Sequence, residues 1–336
     1  MIGEIAVDKS DNTQAQGSVC EWVKVVMDSF WEVRHARRFT WHNNDIWSTA
    51  FNWPKKIHGL VNRLLAGTYR MEPARLVRIN KYPIRYLSGV DQVVARAVLA
   101  MIKPVVTAMV SPICVHVAGR GGLKEAVRQA QDGCREYKYV MKSDVDSFYE
   151  NVDHNIVIDQ CQRAGVSPFL CGLLKQLLTP LVDDGGQLTL VTKGLCKGSP
   201  LSPLLGALYL RKLDRVLSNY AERHRGQVVR YMDDFIFFCD QRWVLRRVVR
   251  ATHGILSELG MRMHPQKTTI GKVATWLTFC GYELHPTKGI RVAKATYARY
   301  VTRVRGLYEQ GVSQADIRTY HRRWWGWAKG GGVDLV

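Results

Sequence analysis

The sequence predicts an α+β protein in which an antiparallel sheet carries acidic residues at its strand ends among amphipathic helices. Three observations predict it. Tyr231-Met232-Asp233-Asp234 lies between the apolar runs Val228-Val229 and Phe235-Ile236-Phe237-Phe238, the pattern of a hairpin with acids at its tip. Tyr139 to Tyr149 reads as a strand that ends in acids and aromatics. Leu201, Leu204, Leu205 and Leu208 fall at i, i+3, i+4 and i+7, which is the spacing of a helix with one buried face.

The remaining elements follow in order. Residues 1–17 are polar, and terminal segments of that kind are poorly tied down. Val19 to about Arg38 has helical periodicity through Trp22, Val23, Val26, Met27, Phe30 and Trp31, and a second helix runs from Pro54 to Ala66 and stops at Gly67. Arg75 to Asn80 and Lys81 to Leu87 alternate basic with apolar and aromatic residues, which puts cations on one sheet face. For Lys81 and Arg85 alone, a solvated strand face explains the pattern equally well. Helices are predicted from Asp91 to Met101, from Lys124 to Cys134 and after Asn151-Val152-Asp153. Two short strands near Leu188 to Val191 lead into the loop Gly194 to Pro203, and a long helix follows it. Ala293 to Gly330 holds two helical patterns rich in arginine and aromatics. Neither an internal repeat nor a low-complexity linker separates these segments.

Composition narrows the partners. The chain has 336 residues, 46% of them hydrophobic, enough for a core and two or three subdomains. Lys+Arg of 48 against Asp+Glu of 29 gives a net charge of +19, a footprint that polyanion binders carry. Nucleic acid is therefore the leading partner. The nearest approach to a membrane span, Val93 to Val115, is interrupted by Arg96, Lys103, Pro104 and Pro112, so it reads as a buried helix and no membrane partner is expected. The N-terminus lacks the basic and apolar regions of a secretory signal, which predicts a cytoplasmic protein. Eight scattered cysteines without a CxxC pair or zinc spacing read as small buried hydrophobes in a reducing compartment. His264 and His285 fit packing or surface roles better than metal ligation.

Two adjacent carboxylates on a rigid tip suit a divalent metal better than they suit stability. Aspartate also ends strands at ordinary turns, so a third acid and a nucleotide-binding loop decide between the readings. Asp144 and Gly194 to Pro203 supply them. Nucleotidyl transfer uses two metals about 3.5–4 Å apart, held by carboxylates from separate elements.

The order of acid strand, glycine loop with helix, and acid hairpin resembles the palm of reverse transcriptases, and in particular bacterial ones of the group II intron-like, non-LTR type. The match runs over nearly the whole chain from about residue 55. The resemblance implies a right-hand polymerase with fingers, a palm built on an antiparallel sheet, and a helical thumb. Its implied divisions are an N-terminal helical extension (1–53), fingers (54–138), palm (139–286, with fingers helices in 155–190) and thumb (287–336).

Residue by residue, Lys81 and Arg85 resemble the fingers cations that hold the incoming triphosphate. Asp144-Val145-Asp146-Ser147-Phe148-Tyr149 resembles the first acidic motif, with Asp144 and Val145 at the metal and Tyr149 as a steric gate beneath the sugar that selects deoxynucleotides. Asp146 is set aside as a ligand, because relatives commonly carry a non-acid there. Lys197-Gly198-Ser199-Pro200 resembles the loop against nucleotide and template, although Lys197 stands where glutamine is usual, and Pro83 replaces a common fingers glycine. In the hairpin Asp233 and Asp234 are the catalytic, metal-binding acids and Tyr231 and Met232 contact nucleic acid. Lys267 corresponds to the lysine proposed to protonate pyrophosphate, and Gly281 and Tyr282 to the primer grip. Arg299, Arg303, Arg322 and Arg323 belong to thumb helices that grip nucleic acid, and of Trp324 and Trp325 one is expected to pack and one to face outward.

The resemblance implies two Mg2+ ions, with Mn2+ as a substitute, at Asp144, Val145, Asp233 and Asp234. It implies dNTP substrates, a DNA or RNA primer, and an RNA template, taken as a structured non-coding RNA. The expected function is RNA-directed DNA polymerisation by a stand-alone bacterial enzyme related to diversity-generating, retron and phage-defence reverse transcriptases. The alternatives are template-independent or protein-primed synthesis on the same fold, or mutagenic diversity-generating copying. The oligomeric state stays open.

Overall fold

Ser18 accepts a hydrogen bond from the Glu21 amide and Asn44 one from the Ile46 amide, and these caps start the first two helices. The structure, a computed structural model, describes residues 18–38, 44–79, 82–273 and 275–331. In chain order the elements begin with α1 (Val19–Ala36), α2 (Asp45–Leu65), β1 (Ala74–Ile79), β2 (Tyr82–Tyr86), α3 (Gly89–Met109), α4 (Gly122–Glu136) and β3 (Tyr139–Asp144). Next come α5 (Phe148–Asn151), α6 (His154–Arg163), α7 (Pro168–Leu178), β4 (Leu181–Asp184), β5 (Gln187–Leu190) and α8 (Ser202–Tyr209). They are followed by α9 (Arg211–Arg223), β6 (Gln227–Tyr231), β7 (Asp234–Cys239), α10 (Arg242–Glu258) and β8 (Thr269–Lys272). The last are β9 (Leu277–Phe279), β10 (Tyr282–His285), β11 (Gly289–Val292), α11 (Lys294–Glu309) and α12 (Gln314–Gly330). The chain divides into a first unit, 1–109 with 149–209, and a second, 110–148 with 210–336.

In the first unit α1, α2, α7 and α8 pack on α3, which buries Val93, Val94, Ala97, Val98 and Ile102. With 21 residues and a mean hydropathy of 1.5, α3 is by length and composition long and apolar enough to cross a membrane, where the sequence reading expects no such stretch. Its helical run begins at Gly89, continues through Pro104 and ends at Met109, so it takes in residues before Val93 and leaves out Pro112. Four helices pack on it and its Asp91 is buried, accepting from Ser88 Oγ at 2.8 Å and from Tyr69 Oη, as suits the core helix of this unit. Pro54 likewise lies inside α2. Both prolines show tertiary packing outweighing a local helix-breaking preference of about 3 kcal/mol. A four-stranded sheet, β2-β1-β4-β5, completes the unit, with β1 and β4 parallel. The long helix predicted after Leu201 is interrupted at Leu210 and becomes α8 and α9.

The second unit is organised by the antiparallel sheet β6-β7-β3-β8. Phe235, Ile236, Phe237, Phe238 and Cys239 are all fully buried. Because strand side chains alternate, this means that both faces are covered. Val140, Val229, Ile236 and Phe238 join Ala126, Val127 and Ala130 of α4 and Leu277, Phe279, Tyr282 and Leu284 of the sheet β11-β10-β9 in one core. Gly133 permits α4 to approach, since a Cβ there would lie 2.4 Å from Phe238 Cδ2. α9 and α10 also pack on the main sheet. Burying each phenylalanine contributes about 1.5–3 kcal/mol. The edge strand β8 is absent from the sequence reading, because Thr269-Ile270-Gly271-Lys272 is short and holds one large apolar residue.

Candidate active site

The predicted hairpin is present. Met232 and Asp233 form the two-residue turn between β6 and β7, and Tyr231 pairs with Asp234. The register of β3 and β7 sets Asp144 directly opposite Asp234, and the Val145 amide donates to the Asp233 carbonyl at 3.3 Å. The pairing of β3 with β7 thus brings together acids separated by about ninety positions along the chain, and a one-residue slip would turn every side chain of β7 to the opposite face.

The turn is held from behind. Met232 adopts a left-handed backbone, φ 57°, which a side-chain-bearing residue keeps only when its surroundings impose it. Its amide donates to His116 Nδ1 at 2.9 Å and its carbonyl accepts from Arg230 Nη1 at 2.6 Å. Arg230 is fully buried and donates both Nε and Nη2 to Asp214 of α9, at 2.6 and 2.5 Å. The chain around His116 is tied to the same strand, since Val115 N donates to Arg230 O and Arg230 N to Ile113 O.

The three acids sit in an electrostatically demanding place. Burial first, and then the charge of Asp144 and a hydrogen bond with it, push the Asp233 carboxyl up to about 7. Burial also raises Asp234, against the opposing pull of Lys142. Lys142, itself buried, brings Nζ within 2.9 Å of Asp234 Oδ1, yet that buried oxygen has no well-directed hydrogen bond. Lys267 pairs with Asp144 Oδ2, and that contact raises the lysine. Among the described residues no three metal-binding side chains are already gathered as a cage. The donor set nonetheless fits a hard divalent cation, because all its atoms are carboxylate oxygens and two of the acids are close enough to share a proton.

Other predicted residues are placed as follows. Val145 is buried beside the turn, and Asp146 is held by Arg262 at 2.7 Å, which lowers its carboxyl. Lys81 lies outside the described residues. In the first unit Arg85 Nη2 donates to Leu195 O at 3.4 Å, and Leu195 N donates to Tyr149 O at 2.6 Å. Lys197 pairs with Glu150 at 2.5 Å. The structure therefore gathers Arg85, Tyr149 and the loop bearing Lys197 and Gly198. Gly194 is required there: its φ is 89°, and a Cβ would lie 2.8 Å from Tyr149 O and 2.9 Å from Glu150 O.

Tyr231 and Met232 are partly exposed at the hairpin. Gly281 follows the left-handed Cys280 in the turn between β9 and β10. Tyr282, expected at the primer grip, is 1% exposed, its ring lies tilted against Trp327 with centroids 4.7 Å apart, and its hydroxyl donates to Trp327 O at 2.7 Å, so it anchors α12 to β10. Arg299, Arg303, Arg322 and Arg323 are exposed on α11 and α12. Trp324 stacks on Tyr300 at 4.0 Å, while Trp325 is 36% exposed.

Sequence reasoning passes over Lys142, Arg230, Asp214 and His116. A signal was available for two of them. A lone cation within a buried apolar strand, as in Val140-Met141-Lys142 and Val228-Val229-Arg230, demands a buried partner.

Comparison with protein families matches residues 79–284 to the reverse transcriptase (RNA-dependent DNA polymerase) family. No curated protein sequence matches this chain. Similar solved structures include apo telomerase from Candida tropicalis truncated from its C-terminal domain, at 14% identity and TM-score 0.46 over 58% of this chain and 45% of that one. Another is telomerase from Candida albicans in complex with a fragment of telomeric RNA, at 14% identity and TM-score 0.44 over 60% and 37%. The chain spans less than half the length of either telomerase.

Proposed function

The chain belongs to the reverse transcriptase (RNA-dependent DNA polymerase) family, with the α+β right-hand polymerase fold of that family, and from that premise we propose that it extends a primer 3′-hydroxyl with deoxynucleotides copied from an RNA template. The observation that carries the proposal is the register that sets Asp144 opposite Asp234 with Asp233 at the adjoining turn.

Members of this family use divalent metal ions. Asp144, Asp233 and Asp234 would hold Mg2+, with Val145 beside them, and the ions when bound activate the attacking hydroxyl and neutralise charge on the triphosphate. The chain's own residues supply the rest. Lys142 and Lys267 offset the repulsion among three crowded carboxyls. Lys267 Nζ is the proton donor to the pyrophosphate leaving group, and its contact with Asp144 keeps it protonated. Tyr149 rejects the ribose 2′-hydroxyl, and Arg85, Lys81 and the Lys197-Gly198 loop receive the nucleotide. Residues 54–138 act as fingers, 139–286 as palm and 287–336 as thumb. The exposed arginines of α11 and α12 bind the nucleic-acid backbone.

The motif likeness to bacterial group II intron-type enzymes supports copying of a dedicated structured RNA, in phage defence or another retroelement. The test of the central proposal is extension of a DNA primer on RNA by the purified protein with Mg2+ and dNTPs. Extension is expected, and Asp233→Ala combined with Asp234→Ala is expected to abolish it. Absence of dNTP incorporation on supplied or co-purifying RNA, together with full cellular activity of the double variant, would overturn the proposal.

A further inference from the structure

A groove of about 930 Å³ runs between α10 and the edge strand β8 in the second unit. Its walls carry Arg242, Arg246, Arg250, His253 and Lys272, all exposed, and no acidic side chain lines it. Among the described residues none of these cations is within ion-pair distance of a carboxylate. The three arginines recur every four residues along α10, so their Cα atoms rise by about 6 Å per step on one helix face. Such a row is comparable with successive phosphates along one strand. Leu245, Val249 and Ile270 also line it.

This surface is separate from the acids. Tyr139, at the first position of β3, lines the groove, whereas Asp144 ends the same strand. Five residues of extended chain place them about 17 Å apart. The groove cannot be the seat of the triphosphate that the carboxylates would serve.

We propose that this groove is a second nucleic-acid site, which holds the phosphate backbone of a folded, double-stranded part of an RNA. The proposal rests on the reading of the chain as an RNA-copying enzyme only in choosing RNA as the polyanion. The groove offers one aromatic ring, Tyr139, and a row of cations. Recognition of unstacked single strands uses several stacking rings, whereas duplex RNA is read through its phosphates, hydroxyls and shape. An acidic polypeptide fits less well. A strand added to β8 would have to pair beside Lys272, and lysine on an edge strand opposes that addition.

The test compares the full chain with a variant carrying Arg242→Ala, Arg246→Ala and Arg250→Ala, and with Lys272→Glu. Binding of a fluorescent RNA stem-loop is measured by anisotropy over a range of salt. Extension of oligo(dT) on poly(rA), a template without folded structure, is measured alongside. The triple variant is expected to bind the stem-loop at least roughly tenfold more weakly and to lower the slope of log affinity against log salt by about 2–3, one phosphate contact per arginine. Lys272→Glu weakens binding in the same direction, and extension on poly(rA) is unchanged for both. Unaltered stem-loop affinity and salt slope would overturn the proposal. So would loss of poly(rA) extension in step with binding, which assigns the groove to the template–primer path, or preferential binding of polyglutamate over RNA. A wild-type protein that binds the stem-loop through this groove but extends no primer would refute the copying reading alone.

Discussion

Arg230 and Asp214 form a fully buried, two-bonded ion pair, and the same guanidinium donates to the carbonyl of Met232 in the acidic turn. The pair links α9 to the tip of the hairpin and spends its third hydrogen bond on a residue held at positive φ. It thereby braces the turn that carries Asp233.

Removing one partner leaves the other charged and buried, which costs about 3–5 kcal/mol. Asp214→Ala should therefore lower stability by that amount in urea unfolding. Arg230→Lys should retain the charge and lose the fork, so it is expected to lose primer extension by a larger factor than its loss of stability explains. Equal stability of Asp214→Ala and wild type would remove the pair from this role.

The acids predict a pH dependence of known sign. Asp233 is raised from 3.8 to about 7 by burial and by Asp144, so between these values the folded protein holds more protons than the unfolded chain. Its contribution to stability is full below pH 3.8 and is lost as pH rises through about 7. In metal-free buffer, urea unfolding should show this decline, and Asp233→Asn should flatten it. Added Mg2+ should stabilise the protein more at about pH 8 than at about pH 5, because binding needs ionised carboxylates.

Tyr149 is the gate in the proposed reaction, and Tyr149→Ala should raise incorporation of ribonucleotides relative to deoxynucleotides by at least roughly tenfold. Single-nucleotide extension with paired rNTP and dNTP series measures it. Unchanged discrimination would take Tyr149 out of the gate.

Gly194 tests how that gate is positioned. Gly194→Ala places a methyl against the Tyr149 and Glu150 carbonyls at φ 89°, which costs more than about 1–2 kcal/mol from the left-handed backbone alone. The expected result is a less stable protein whose sugar discrimination is also relaxed, although Tyr149 itself is intact.

Strands and helices whose pattern is local were readable from the chain. The apolar runs around Met232-Asp233 define a hairpin wherever they occur, and Asp144 closes a strand of six consecutive residues. Asp153 caps α6 through a hydrogen bond two residues on, at 2.7 Å. These interactions span a few residues, so their signal lies in adjacent letters.

The partners of other polar side chains lie far along the chain. His116 meets the Met232 amide across 116 positions, Lys267 meets Asp144 across 123, and Gln131 reaches His285 O across 154. Prolines within α2 and α3, the short strand β8 and the burial of Tyr282 follow from packing as well. By itself the sequence determined the acids, the order of their motifs and the basic character of the chain. Only the tertiary structure decided which cation faces each acid and which basic row stands away from them, because contact across so many residues depends on how helices and strands pack, and a local pattern carries no record of it.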